Sequence, residues 1–177
     1  MFERIDLAIT TTLHKYGYDV ARSAEGRYSF FKESASGTIR IEKKSDEIGE
    51  MSFIYRNKFK DQKTSKDEFI RYKGTNALED ICGEKFALNY IEPRQFSVKS
   101  LWVVSLSETA PVEIPAIVSK CLSVAEQCFA VLNSEVYYSN DASRALLEVD
   151  LKNKVKSPKG WKNSGKLPAA FAAASKK

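Results

Sequence analysis

Few residues in this chain have the type and spacing to do covalent chemistry, and the first to weigh are Glu42 and Lys44 in "TIRIEKKS". Metal-dependent nucleases commonly place Glu-x-Lys on one strand and a second acid on its neighbour, so that two carboxylates hold a divalent ion while the lysine steadies the attacking water. Glu25 or Glu33 would have to be the second acid here. The upstream Pro-Asp element of that pattern is missing, and strand alternation puts Glu42 and Lys44 on the polar face opposite Ile39 and Ile41, where charges are ordinary. His14 is the only histidine and sits beside Leu13 and Tyr16. A Ser-His-Asp, Cys-His or histidine-based zinc site would have to converge on that one residue, and a surface position at a helix end is the expected reading.

Cys82, Cys121 and Cys128 contain no Cys-x-x-Cys pair, so they carry no zinc signature. Cys121 and Cys128 are two turns apart on an apolar helical stripe and read as core residues. Cys82, before Gly83, stands at an expected helix end, where a nearby cation or helix N-terminus would be needed to activate it. An odd number of cysteines at irregular spacing argues against a disulfide framework and for a reducing compartment. No phosphate-loop spacing is found either. The sequence therefore predicts no catalytic residue, no metal ligands and no cofactor.

The end of the chain, "KNKVKSPKGWKNSGKLPAAFAAASKK", carries a different kind of chemistry. Of the 28 basic residues in the protein, eight lie after Asp150, with no acid among them, which leaves 20 basic against 23 acidic residues in 1–150. The formal charge of +5 thus divides into a slightly acidic body and a strongly basic arm. Lys152, Lys154, Lys156, Lys159, Lys162 and Lys166, spaced by Ser, Pro, Gly and Asn, suit a polyanion, because lysines neutralise phosphates and release counterions. Trp161 lies between Lys159 and Lys162, where an indole can stack on an unpaired base. Leu167 and Phe171 have no reason to sit in a freely solvated arm, and "LPAAFAAASKK" suits docking on an apolar groove of a partner. The competing readings of the arm are attachment to a protein partner and a bland, solubilising end.

The elements that must carry these residues are readable from periodicity. Phe2, Ile5, Ile9, Leu13 and Tyr16 make one helical stripe that stops near Gly17, with a strand through "DLAITTTL" as the alternative. "RYSFFKE", "GTIRIEKKS" and "EMSFIYRNKF" alternate with period two and predict an antiparallel meander. "KTSKDEFIRYKGTNALEDICG" opens with Ser65 three before Glu68, a capping-box spacing, and predicts a helix through Ile81 that contains Gly74. "EKFALNYIEP" and "FSVKSLWVVSLS" read as strands. The second is apolar at both Val98/Trp102/Val104/Leu106 and Leu101/Val103, which predicts a strand covered on both faces. A long amphipathic helix over 114–132 follows, with Pro115 in its first turn, and then a short capped helix in "SNDASRALLEV".

This order of elements resembles the fold of class I type III secretion chaperones and the related YbjN-like proteins. The nearest likeness is "SVKSLWVVSLSETAPVEIPAIVSKCLSVAEQCFAVLNS", a hydrophobic strand running through a polar turn into an amphipathic helix; the resemblance covers roughly 2–134 and rests on pattern. It implies a small cytosolic homodimer that holds an extended protein segment against apolar surface. The basic arm departs from that picture.

The sequence thus predicts an α+β domain over 1–150, an antiparallel sheet of about five strands packed against two or three helices, and a basic arm over 151–177 that is disordered or ordered by a partner. The expected function is a non-enzymatic binding or assembly protein whose arm engages nucleic acid or a neighbouring subunit, possible as a viral or phage structural protein. The alternatives are a chaperone or adaptor for an extended segment, then a metal nuclease. The longest apolar run, "LWVVSL", is far too short to cross a bilayer. A cytoplasmic homo-oligomer is expected, or a virion component if viral.

Overall fold

A computed structural model describes residues 2–59, 66–73 and 76–133. The chain divides into two compact units, one of Met1–Lys58 with Glu84–Glu126 and one of Phe59–Gly83 with Gln127–Lys177. The first opens with α1 (Phe2–Lys15), whose stripe of Ile5, Ile9 and Leu13 is fully buried. The threonine run does not break it. Thr12 Oγ1 donates to the Ala8 carbonyl at 2.8 Å, so a hydroxyl that competes for backbone partners finds one inside the helix. Gly17 ends the helix at φ 86°, with its N–H on His14 O at 2.9 Å and the Tyr18 N–H on Leu13 O at 3.0 Å, a Schellman arrangement.

The sheet has six antiparallel strands: β1 (Asp19–Ala24), β2 (Arg27–Lys32), β3 (Ala35–Lys43), β4 (Ile48–Lys58), β5 (Ala87–Ile91) and β6 (Gln95–Ser105), in the order β1-β2-β3-β4-β6-β5. The fold is α+β, with the expected meander in β2–β4 and one strand, β1, more than the sequence indicated. On the inner face, period-two alternation aligns aromatic rings. Tyr18 meets Phe30 edge-on at 5.2 Å, Phe30 stacks on Phe53 at 5.8 Å, and Tyr55 approaches Phe96 at 6.2 Å. Gly37 is required there, because a Cβ would lie 2.2 Å from Phe30 Cζ and 2.5 Å from the Ile54 carbonyl oxygen.

The long helix, α4, runs from Ala110 to Leu132, four residues earlier than expected. Pro111, not Pro115, occupies its first turn. Pro115 lies in the second, where its missing N–H removes a bond to the Pro111 carbonyl. At 23 residues α4 is also long and apolar enough by composition to cross a bilayer, a point that "LWVVSL" alone did not reveal. Within the first unit its stripe of Ile114, Val118, Cys121, Leu122 and Ala125 is fully buried. Glu126 fixes it to the β1–β2 region, accepting from Tyr18 Oη at 2.8 Å and from Lys32 Nζ at 3.2 Å. A matching tie holds α1: Asp6 accepts a hydrogen bond from Tyr28 Oη and pairs with Arg22 at 2.8 Å. Burial, followed by these acidic partners and, for Tyr18, by Tyr55, raises both phenols well above their usual range.

In the second unit the single helix expected through Ile81 is instead two, α2 (Lys66–Lys73) and α3 (Asn76–Cys82). The interruption coincides with Phe59 and Phe69 meet edge-on at 5.8 Å, and Cys82 Sγ lies 3.4 Å from Cys128 Sγ, both thiols buried. The short helix expected in 139–149 lies outside the described residues.

Candidate ligand-binding face of the sheet

The residues first weighed for catalysis are occupied with one another. Arg40 Nη2 is 2.9 Å from Glu42 Oε2, and Lys44 Nζ lies 3.7 Å from Glu42 and 3.6 Å from Glu50. Glu42 and Lys44 do share the polar face, as alternation requires. Among the described residues no group of three or more His, Cys, Asp or Glu side chains could hold a metal ion. Glu25 and Glu33 are exposed in the turns flanking β2, and His14 is exposed in the last turn of α1. The cysteines are core residues. Burial raises the Cys121 thiol, which sits 3.5 Å from Ser100 Oγ, and the Cys82 thiol together with burial raises that of Cys128. Raised thiols carry little thiolate, so neither is poised as a nucleophile.

The outer face of the sheet has the more organised surface. Pairing register places Lys58 and Gln95 in one row across the strands; Phe31, Ser36, Arg56 and Ser97 in the next; and Ser29, Thr38, Ile54, Lys99 and Ala87 in a third. Arg27, Arg40, Ser52 and Leu101 form a fourth row, then Glu42, Glu50 and Val103, then Ile48 with Ser105. Along β4 these rows cover about 30 Å. Charge therefore changes sign along the strands. One end holds Arg27, Arg56, Lys58 and Lys99, all exposed and, among the described residues, without an ion pair. The other holds Glu42 and Glu50, followed by Asp46 and Glu47 in the β3–β4 turn.

Two depressions lie on the basic half. One of about 380 Å³ is lined by Ser52, Ile54, Lys85, Ala87, Lys99 and Leu101; the other, of about 240 Å³, by Ser29, Phe31, Ser36, Thr38, Ile54 and Arg56. Ile54 lines both. The floor is therefore hydroxyl and short apolar side chains, with cations at its margins and the Phe31 ring 45 % exposed. Beside the first depression, Lys85 Nζ lies 4.3 Å and Lys120 Nζ 5.8 Å from the Trp102 ring centroid, while the indole N–H donates to Ser100 Oγ at 2.9 Å. The lysines are thus held over the ring face and the indole is fixed from its edge.

The expectation of a strand covered on both faces fails at β6. Its inner residues Val98 and Val104 are buried, but Leu101 and Val103 are 54 % and 78 % exposed. Apolar alternation on both faces records two apolar surfaces without specifying a cover for each. Of the residues singled out in sequence, Lys152, Lys154, Lys156, Lys159, Trp161, Lys162, Lys166, Leu167 and Phe171 all lie outside the described residues. Sequence reasoning missed Arg27, Arg56, Lys58 and Lys99, which are scattered over three strands. The available signal was that each stands on the polar side of its strand's alternation. No family model, curated protein or solved structure matches this chain.

Proposed function

We propose that this protein binds single-stranded nucleic acid, with the basic half of the open sheet face as the platform and the lysine-rich arm as a second, flanking contact. The observation that carries this reading is the cluster of Arg27, Arg56, Lys58 and Lys99 around an exposed phenyl ring and a floor of hydroxyls. Single strands are held by positive surface that follows the backbone and by rings on which bases stack. A flat sheet face suits splayed bases and offers no helix for a duplex groove. Phe31 supplies the stacking surface, Arg56 and Lys99 the phosphate contacts beside it, and Ser36 and Thr38 hydrogen-bonding groups at the level of the bases.

Lys152, Lys154, Lys156, Lys159, Lys162 and Lys166 extend the positive charge along a bound strand, and Trp161 adds a second stacking ring. The binding is non-catalytic, since the reading assigns no role to a metal or nucleophile. The test is electrophoretic mobility shift with single-stranded RNA and DNA on three proteins: full-length, Phe31→Ala with Arg56→Ala, and a chain lacking 151–177. Both altered proteins are expected to bind at least about tenfold more weakly at low salt, the stacking loss alone being worth about 1–3 kcal/mol. Unchanged affinity in both sinks the proposal.

A further inference from the structure

The acidic end of the open face has no place in a nucleic-acid platform, yet it carries the most exposed apolar side chains of the sheet. Ile48, Leu101 and Val103 are 48 %, 54 % and 78 % exposed. They are neighbours by register, since Ser105 lies opposite Ile48, Val103 opposite Glu50 and Leu101 opposite Ser52. Around them stand Asp46, Glu47, Glu50 and, past the end of β6, Glu108. The Leu106 N–H bonds the Glu47 carbonyl at 2.8 Å, which brings the β3–β4 turn beside the exit from β6.

Lysines offset only part of this charge. Lys43 pairs with Asp46 at 2.8 Å, and one lysine, Lys44, is divided between Glu42 and Glu50. Glu47 and Glu108 have no ion pair among the described residues. A polyanion is repelled from such a corner. An apolar segment flanked by lysines is drawn to it, burying Ile48, Leu101 and Val103 while its amines meet the carboxylates.

This chain contains such a segment. "KLPAAFAAASKK", residues 166–177, has Leu167 and Phe171 between Lys166 and the terminal Lys176–Lys177 pair, and has no acid. Residues 134–165 join it to the end of the described structure, a connection that can extend about 100 Å and so does not restrict its reach. We propose that residues 166–177 dock, within the same chain, on the corner formed by Ile48, Leu101 and Val103, with Phe171 on the apolar side chains and the terminal lysines beside Glu47, Glu50 and Glu108. The arm then forms a loop held at both ends. Its lysines from Lys152 to Lys162 remain available between the attachment points, and occupancy of the corner covers the one strongly apolar patch of the face.

The experiment is carbodiimide coupling of the full-length protein at low micromolar concentration without nucleic acid, followed by peptide mapping of the monomer band. Amide links are expected from Lys166, Lys176 or Lys177 to Glu47, Glu50 or Glu108. Their yield should fall at least about tenfold in Phe171→Ser and in Val103→Ser, which alter neither the lysines nor the carboxylates, the loss expected when one large apolar contact is removed. Links scattered over acids elsewhere on the surface, yields indifferent to both variants, or links confined to a dimer band each overturn the proposal. Because no nucleic acid is present, failure here leaves the platform reading standing, and failure of the platform leaves this result unaffected.

Discussion

Neutralising Arg27, Arg56, Lys58 and Lys99 together, each to Gln, tests the platform by a quantity that follows from its geometry. Each cation that neutralises a phosphate of a single strand contributes about −0.7 to the slope of log K against log salt concentration. Four such contacts give about −2.8, so between 50 and 200 mM salt they weaken binding by about 50-fold. If the six arm lysines from Lys152 to Lys166 also engage, the intact protein has a slope near −7. The quadruple variant should then bind more weakly at 50 mM salt and show a slope shallower by about 2.8, with the arm's share intact. Fluorescence anisotropy of a labelled single-stranded oligonucleotide, titrated at several salt concentrations, measures both numbers. The four side chains are exposed and, among the described residues, without ion pairs, so their replacement should leave the fold in place; circular dichroism checks this. A slope equal to that of the unaltered protein would refute the assignment of phosphate contacts to the sheet, even if overall affinity dropped.

Gly37→Ala should destabilise by about 3 kcal/mol or more, because the new methyl group overlaps the Phe30 ring, itself held between Tyr18 and Phe53. Thermal unfolding then moves down by about 6–12 °C. An unchanged midpoint would mean that Phe30 is free to move. Tyr18 and Tyr28 predict alkaline sensitivity. Their folded-state phenols titrate above the unfolded value near 10, so the unfolded chain binds fewer protons once pH passes that value. Their stabilisation is complete below about pH 10 and is lost as pH rises, by up to about 2.7 kcal/mol per pH unit for the two. Urea midpoints between pH 8 and 11 measure it, and a flat profile contradicts the burial. Ser97 Oγ is buried without a hydrogen-bond partner, so Ser97→Ala should be neutral or stabilising by up to about 1 kcal/mol in the same assay. A clear loss of stability would reveal a partner for the hydroxyl.

Local periodicity made much of this fold legible in advance. The stripe from Ile5 to Leu13, the alternation of β2, β3 and β4, and the apolar face from Ile114 to Leu132 each follow from which side chains must leave water. The first strand, "DVARSA", escaped notice because only Val20 and Arg22 point inward. Arg22 is placed by an ion pair with Asp6 on α1, a partner that no local window contains. Pro115 and Gly74 were correctly seen as punctuation, but where each helix begins or breaks depends on capping and packing as well as propensity. Thr109, whose hydroxyl bonds Glu113, starts α4 a turn before the apolar stripe does.

The division of charge between a slightly acidic body and a basic arm was determined by sequence alone, since counting needs no geometry. So was the absence of a histidine-based or Cys-x-x-Cys site, because the residues for one are not in the chain. Only the tertiary structure decided that Arg27, Arg56, Lys58 and Lys99 share one end of a face while Glu42, Glu50 and Glu47 share the other. Those residues come from different strands, and a shift of one position in any pairing would send its cations to the opposite side. It also decided that Leu101 and Val103 face solvent. An apolar side chain records its own cost of hydration, but whether anything covers it depends on where the rest of the chain goes.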